Sequence, residues 1–172
     1  MRGVVILNKS KTCKNLETAF AGESQANRKY AAFARKAEEE GYTQVAKLFR
    51  VTAEAETIHA NAHLRAMGKI GTTAENLKAA IEGETYEFTE MYPEFIEVAE
   101  KEEDKAALKA FKYAIEAEKV HAELYKKALD QLGSNEAVNL YLCTVCGYIA
   151  ESSAPETCPL CGAKKQAFKK AE

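Results

Sequence analysis

The chain has 172 residues and a formal net charge of −2, with 24 Lys and Arg residues against 26 Asp and Glu residues. This length suffices for one well-buried domain and a small second module, and the nearly balanced charge does not favour a nucleic-acid-binding protein. Residues 3–7 form the only apolar run near the start, too short for a secretory signal, and no stretch approaches membrane-spanning length. We therefore expect a cytoplasmic protein with neither nucleic-acid nor membrane partners.

Up to about Gly133, apolar residues recur at steps of three and four, which is typical of long amphipathic helices. The pattern predicts four helices, over about residues 15–40, 43–67, 72–98 and 104–132. The third should begin with a capping box at Thr72, and Pro93 should kink it one turn past its carboxylates. We predict an all-α four-helix bundle over residues 1–134 and, after a change in composition, a separate small module over residues 135–172.

An internal repeat relates the first two helices to the last two. Gly22-Glu23-Ser24 recurs as Gly83-Glu84-Thr85 at an offset of 61 residues, and Tyr30 recurs as Tyr92. Two Glu-x-x-His steps, beginning at Glu56 and Glu118, lie 62 residues apart. A duplicated helical hairpin predicts a bundle with pseudo-twofold symmetry.

Seven polar residues interrupt the apolar stripes of the four helices: Glu23, Glu56, His59, Glu84, Glu87, Glu118 and His121. Two helices contribute Glu and two contribute Glu-x-x-His, which is the ligand set of di-iron carboxylate bundles. A carboxylate on a core face is costly unless a cation meets it, so we predict two buried iron ions. One such motif alone would favour a solvated helix face, but two at repeat-related positions favour a metal site. We interpret His63, which has no such counterpart, as an ordinary histidine.

Glu87 is one carboxylate more than two divalent ions require. Four carboxylates balance the charge of two ferrous ions, whereas five carboxylates and a hydroxide balance two ferric ions. We therefore predict that Glu87 binds the ferric site and yields to His59 in the ferrous site, which keeps the interior close to neutral. Zinc has no redox chemistry and would leave Glu87 without a role.

Four of the five cysteines form two Cys-x-x-Cys-Gly knuckles near the C-terminus: Cys143, Cys146, Cys158 and Cys161. Four thiolates suit either zinc or one iron ion. A structural zinc ribbon, acting as an interaction module on a helical scaffold, is one interpretation. An Fe(Cys)4 electron donor is the other, and the neighbouring iron site favours it. We assign no role to Cys13.

Taken together, these motifs resemble the rubrerythrin family over essentially the whole chain. The resemblance implies a ferritin-like di-iron bundle followed by a rubredoxin-like tail. The four cysteines match the metal ligands of rubredoxins, but the gap of eleven residues between the two knuckles is shorter than in stand-alone rubredoxins. It implies that Glu23 and the Glu87/His59 pair are terminal ligands of one iron, and that Glu84 and His121 are terminal ligands of the other. Glu56 and Glu118 would bridge the two ions. Tyr30 and Tyr92 would lie beside the ligands. We assign catalytic roles to Glu87, His59, Tyr30 and Tyr92.

The resemblance also implies an activity. The expected reaction is the reduction of hydrogen peroxide to water, with electrons passed through the Fe(Cys)4 centre. An external donor, a rubredoxin or an NAD(P)H-linked reductase, would supply these electrons. A ferroxidase or iron-handling protein of ferritin type is the alternative, although iron storage has no need of an electron-donating tail.

The link between the second and third predicted helices is short. Ferritin-like topology makes these helices parallel, so their link must travel about 35 to 40 Å, whereas residues 68–73 reach only about 20 Å. We therefore predict a homodimer in which the hairpins are swapped between chains. The tail leaves the fourth helix roughly 20 to 25 Å from the di-iron ligands, so a partner's tail is expected to be the closer donor.

Overall fold

The computed structural model describes residues 10–134 and 137–172, so the apolar run at residues 3–7 lies outside the described part. Four long helical stretches precede a small three-stranded sheet, and the predicted fold class, an all-α domain with a small metal-knuckle module, is confirmed. None of the helices in the described part is long and apolar enough to cross a membrane. The chain divides into two compact units at Gly71 and Thr72. The division into domains 1–134 and 135–172 stays a prediction.

The first unit is a hairpin of two helices, α1 (Lys11–Glu39) and α2 (Thr43–Ala66). Ser10 caps α1 because its hydroxyl accepts a hydrogen bond of 3.1 Å from the backbone N–H of Cys13. The chain reverses at Gly41, whose φ of 83° favours glycine. The helices pack closely because the buried side chains between them are small: Ala34, Ala37, Ala46, Ala53 and Ala60.

The second unit begins with a helix that contains an irregular turn. It runs through α3 (Thr73–Tyr86), a π turn (Glu87–Met91) and α4 (Tyr92–Lys101), and the chain returns in α5 (Lys105–Asp130). The predicted capping box is confirmed, since the Thr72 hydroxyl and the Glu75 carboxylate each accept a hydrogen bond from the other residue's backbone N–H.

The π turn lies earlier than the irregularity predicted at Pro93. The structure begins it at Glu87 itself, and the Tyr92 N–H donates to the Glu87 carbonyl, five residues back. Pro93 falls in the first turn of α4, where its missing N–H costs little. The backbone of the third predicted helix is therefore irregular at the fifth carboxylate rather than one turn beyond it.

The internal repeat explains why this turn is needed. Glu23 and Tyr30 are seven residues apart, whereas Glu84 and Tyr92 are eight apart, and a π turn absorbs the additional residue. The two tyrosines consequently reach equivalent aromatic clusters: Tyr30 packs with Phe33 and Phe49, and Tyr92 packs with Phe95 and Phe111. In each cluster the centroid of the tyrosine ring lies 6.1 to 6.3 Å from the centroids of the two phenylalanine rings. The insertion thus alters the helix around Glu87 and leaves both clusters in register.

The C-terminal module is a three-stranded antiparallel sheet in the order β2-β1-β3. Its elements are β1 (Leu140–Cys143), β2 (Ile149–Glu151), a 3-10 turn (Lys165–Ala167) and β3 (Phe168–Lys170). Three buried cysteines form its core: Cys143, Cys146 and Cys158. A module of this size has too little apolar core to be stable alone, so metal binding supplies much of its folding energy.

The module folds back along α5 instead of extending away from it. Tyr113 packs against the cysteine core, and a Cβ placed on Gly147 would lie 3.8 Å from the Ala117 Cβ. Lys127 forms an ion pair with Glu151, at 2.7 and 2.8 Å. The predicted separation of roughly 20 to 25 Å between the tail and the ligands on α5 is therefore wrong. The module does not extend beyond the end of α5 but lies against the middle of this helix.

Candidate metal centres

Each helical hairpin brings three of the predicted ligands together. The candidate ligand atoms of Glu23, Glu56 and His59 lie within 4.8 Å of one another, as do those of Glu84, Glu118 and His121. In each group one Glu comes from the first helix of the hairpin and a Glu-x-x-His pair from the second. The i, i+3 spacing places the members of each pair on one helix face.

The two groups share the same internal geometry. Nδ1 of His59 lies 2.9 Å from a Glu56 oxygen and 4.0 Å from a Glu23 oxygen. Nδ1 of His121 lies 2.5 Å from a Glu118 oxygen and 4.0 Å from a Glu84 oxygen. In both hairpins Nδ1 is therefore the imidazole nitrogen placed to bind a metal ion held by the carboxylates.

The other nitrogen of His121 supports this assignment. Nε2 of His121 lies 2.9 Å from the carbonyl oxygen of Gly147. Since a carbonyl only accepts hydrogen bonds, Nε2 donates a proton to it, so the neutral imidazole that binds a metal ion would have its lone pair on Nδ1, towards Glu84 and Glu118. A backbone carbonyl that orients the imidazole in this way is a regular companion of metal-binding histidine.

The carboxylates of the second unit are crowded. Burial, with the hydrogen bond and charge of Glu118, raises the pKa of Glu84 to about 7. Burial and the charge of Glu118 also raise the pKa of Glu87, which His121 partly offsets. Such groups can all ionise together only when cations neutralise them. Carboxylates combined with imidazoles suit iron, so the donor set fits a pair of iron ions.

Glu87 and Tyr92 lie beside the second group without belonging to it. Burial and then the charges of Glu87, Glu118 and Glu84 raise the pKa of Tyr92, so its phenol keeps its proton at neutral pH. Tyr92 therefore holds a proton close to three carboxylates, and Tyr30 takes the equivalent aromatic position in the first unit. Within the described residues His63 joins none of the three candidate metal-ligand groups.

The third group consists of the four knuckle cysteines, Cys143, Cys146, Cys158 and Cys161. The Sγ atoms of Cys143 and Cys161 are 3.7 Å apart, and those of Cys146 and Cys158 are 3.6 Å apart. A tetrahedral ion bound to sulfur at about 2.3 Å requires Sγ separations of about 3.8 Å. All four are free thiols, so the geometry fits one tetrahedrally bound metal ion.

Backbone amides prepare the first knuckle for an ion. Gly147, at φ 82°, closes the turn by donating from its N–H to the Cys143 carbonyl at 3.0 Å. Burial opposes ionisation of Cys143, but hydrogen bonds from the N–H groups of Val145 and Cys146, together with those from the thiols of Cys146 and Cys161, outweigh it and lower the pKa of Cys143. Burial raises the pKa of Cys146, and the neighbouring thiols raise it further. The Cys143 thiolate is therefore favoured before a metal ion binds, whereas Cys146 needs the charge of the metal ion to ionise.

Two features of the site were not predicted from the sequence. The π turn had a signal, namely the eight-residue spacing from Glu84 to Tyr92 where the first hairpin has seven. The hydrogen bond between His121 and Gly147 had none, because it depends on where the module docks on α5.

Comparison with known proteins gives matches over nearly the whole chain. The rubrerythrin family profile matches residues 14–129, and the profile described as the rubrerythrin, rubredoxin-like domain matches residues 141–169. Rubrerythrin-2 of Clostridium acetobutylicum is 36% identical, over 91% of this chain and 95% of the relative. Nigerythrin of Nitratidesulfovibrio vulgaris is 37% identical, over 91% and 85%. A solved structure, the fully reduced, all-ferrous state of nigerythrin, matches with a TM-score of 0.58 and 34% identity over 99% of this chain and 92% of that one.

Proposed function

Because this chain belongs to the rubrerythrin family, we propose that it is a non-haem di-iron peroxidase that reduces hydrogen peroxide to water. As an oxidoreductase of this family, the chain holds two iron ions between carboxylates and histidines and one iron ion between four cysteines. One observation above all supports the proposal. The hydrogen bond from His121 to Gly147 joins a ligand of the carboxylate centre directly to the four-cysteine knuckle.

The reaction needs two electrons and two protons for each peroxide, which yields two water molecules. When bound, the iron pair supplies both electrons, so no one-electron product need be released. Gly147 follows Cys146 in the chain, so one residue and one hydrogen bond separate a knuckle cysteine from the His121 imidazole. We assign this connection to re-reduction of the pair, with electrons from a rubredoxin or an NAD(P)H-linked reductase.

The protons come from residues beside the second group of ligands. The phenol of Tyr92 is protonated and close to Glu84, Glu87 and Glu118, so it can donate to a peroxide oxygen and recover a proton from a carboxyl group. Glu87, whose raised pKa favours proton uptake, is the second proton carrier. We assign Tyr30 the corresponding role beside the first group.

Glu87 and His59 act as alternative ligands in the proposed cycle, Glu87 in the ferric state and His59 in the ferrous state. The π turn supports this exchange because the helix at Glu87 lacks the regular bonding of an α-helix and can shift at lower cost. Nigerythrin, a similar protein, has been solved in fully reduced, partially reduced and mixed-valence states, which supports a change of valence here.

We propose a swapped homodimer in which the ligand group of one chain's first hairpin meets that of its partner's second hairpin. Six residues, 67–72, link α2 to α3 and reach about 20 Å, whereas α2 itself is about 36 Å long. Parallel packing of these two helices within one chain would need a longer link.

We place the dimer in the cytoplasm, where the thiols stay reduced.

A peroxide titration tests the activity. The iron-loaded protein is reduced without oxygen and titrated with hydrogen peroxide while the red ferric Fe(Cys)4 colour and the di-ferric absorbance are recorded. We expect peroxide to restore both absorbances at two electrons per peroxide. A protein that instead oxidises and retains added ferrous iron, with an Fe(Cys)4 centre that stays reduced, is a ferroxidase.

Complementation tests the swap. A Glu56→Ala chain lacks a ligand in its first hairpin, and a Glu118→Ala chain lacks one in its second. In a swapped heterodimer the two intact hairpins meet and form one complete site, so each heterodimer should have about half of the wild-type turnover, and a randomly paired co-expressed mixture about a quarter. Unswapped dimers carry a damaged site in each chain and would remain inactive.

A further inference from the structure

One face of α5 is covered by the chain's own rubredoxin-like module. Gly147 lies against Ala117, and its carbonyl accepts a hydrogen bond from His121 at 2.9 Å. One helical turn or more further along, Lys127 pairs with Glu151 of the module at 2.7 Å. The contact thus combines a small residue, a histidine of the metal centre and a basic residue.

The internal repeat places the same combination on α2. The offset of 62 residues that relates the two Glu-x-x-His steps, and with them the two histidines, also pairs three other positions. Ala55, Ile58, His59 and Arg65 on α2 correspond to Ala117, Val120, His121 and Lys127 on α5. The small residue, the aliphatic residue, the histidine and the basic charge are all retained.

Within the first hairpin this face of α2 is uncovered. Ile58 is 66% exposed. The His59 side chain is 56% exposed, against 19% for His121. Nε2 of His59 has no hydrogen-bond partner among residues 10–71, whereas Nε2 of His121 bonds to the knuckle of its own unit. The face that the module contacts on α5 is therefore presented on α2 without a partner from its own hairpin.

The chain carries one such module for two equivalent faces. We propose that the α2 face (Ala55, Ile58, His59 and Arg65) docks a separate small Fe(Cys)4 electron carrier. A Cys-x-x-Cys-Gly knuckle of the carrier lies against Ala55, its carbonyl accepts the Nε2–H of His59, and an acidic side chain pairs with Arg65. The proposal rests on the proposed function, since only a protein that takes up electrons has a use for this carrier. It gives the first hairpin the same access to electrons that the module gives the second.

The test measures binding rather than turnover. Full-length, iron-loaded protein is titrated at low ionic strength with a recombinant zinc-loaded rubredoxin, which docks but carries no electron. Ile58→Glu and Arg65→Glu, both exposed and outside the metal ligands, should each weaken binding by about tenfold or more. Gln25→Glu introduces the same charge at an exposed position of α1 and should change binding by less than about twofold. Circular dichroism and iron content establish that each variant is folded and loaded.

The competing occupant is a second copy of this chain, packed through the same α2 face. If Ile58→Glu dissociates the oligomer in light scattering while rubredoxin binding is unchanged, the face is a subunit interface and the proposal is overturned. Absence of rubredoxin binding to the wild-type protein overturns it as well. Peroxide turnover driven by a small-molecule reductant separates the two proposals: binding without turnover contradicts the peroxidase function and leaves the docking surface standing.

Discussion

Removal of the metal ions should make the stability of the protein fall as the pH rises from about 4.5 to about 7. In the metal-free chain the pKa of Glu84 is raised from 4.5 to about 7 by burial and by Glu118. Between these two values the folded chain holds a proton that the unfolded chain has lost. The free energy of unfolding therefore decreases through this window, and Glu87, whose pKa is also raised, adds to the decrease.

The size of the effect follows from the exposure of the carboxyl group. Each unit of pKa difference corresponds to about 1.4 kcal/mol when the group is shielded from solvent. For the full rise of the Glu84 pKa this is roughly 3 kcal/mol. The Glu84 side chain is 22% exposed, so water screens part of the interaction and we expect about 2 kcal/mol. For a chain of this length, that lowers the Tm by about 4 to 8 °C. Iron-loaded protein should show the opposite trend, because the metal binds the deprotonated carboxylates.

Thermal unfolding followed by circular dichroism, on chelator-treated protein across this pH range, measures the effect. Glu84→Gln should flatten the dependence on pH because the titrating group is gone. Glu82→Gln removes an exposed carboxylate from the same helix and should leave the slope unchanged. A metal-free Tm that rises with pH, or equal slopes in the two variants, would refute the reasoning.

Three further outcomes are expected. Tyr92→Phe keeps the ring contacts but loses the phenolic proton, and should slow peroxide turnover by about tenfold or more without changing iron content, as measured by stopped-flow spectroscopy. Deletion of Thr89 shortens the π turn to the seven-residue spacing of the first hairpin. In the proposed cycle this withdraws Glu87 from the ferric site, so the di-iron midpoint potential should rise by about 60 mV or more in a redox titration, as it should in Glu87→Gln. Cys146→Ser should abolish the red Fe(Cys)4 colour while the di-iron absorbance persists, and an unchanged visible spectrum would contradict the assigned ligand.

The positions of the carboxylates and histidines could be read from spacing. An i, i+3 step places Glu56 and His59 on one helix face wherever the helix lies, and the 62-residue offset repeats that arrangement at Glu118 and His121. The knuckle cysteines are likewise a local pattern, in which two short turns converge. These features depend on neighbours along the chain, so the sequence contains the information needed to recognise them.

The π turn is an intermediate case. The eight-residue spacing between Glu84 and Tyr92 shows that one residue has been added relative to the first hairpin. Proline is the residue that most often bends a helix, so the irregularity was predicted at Pro93. Only the tertiary structure shows that the backbone hydrogen bonding changes at Glu87. The helix could absorb an added residue at Glu87 or at Pro93, and packing of the aromatic cluster around Tyr92 decides between the two positions.

The sequence by itself determined the helices, the ligand spacing and the two knuckles, because helical periodicity and short turns arise from interactions over a few residues. The tertiary structure alone decided that the module returns to α5 and places Gly147 on His121. These two residues are 26 positions apart in the chain, and their meeting depends on a chain reversal and on the packing of one surface against another. Neither leaves a periodic pattern in the sequence.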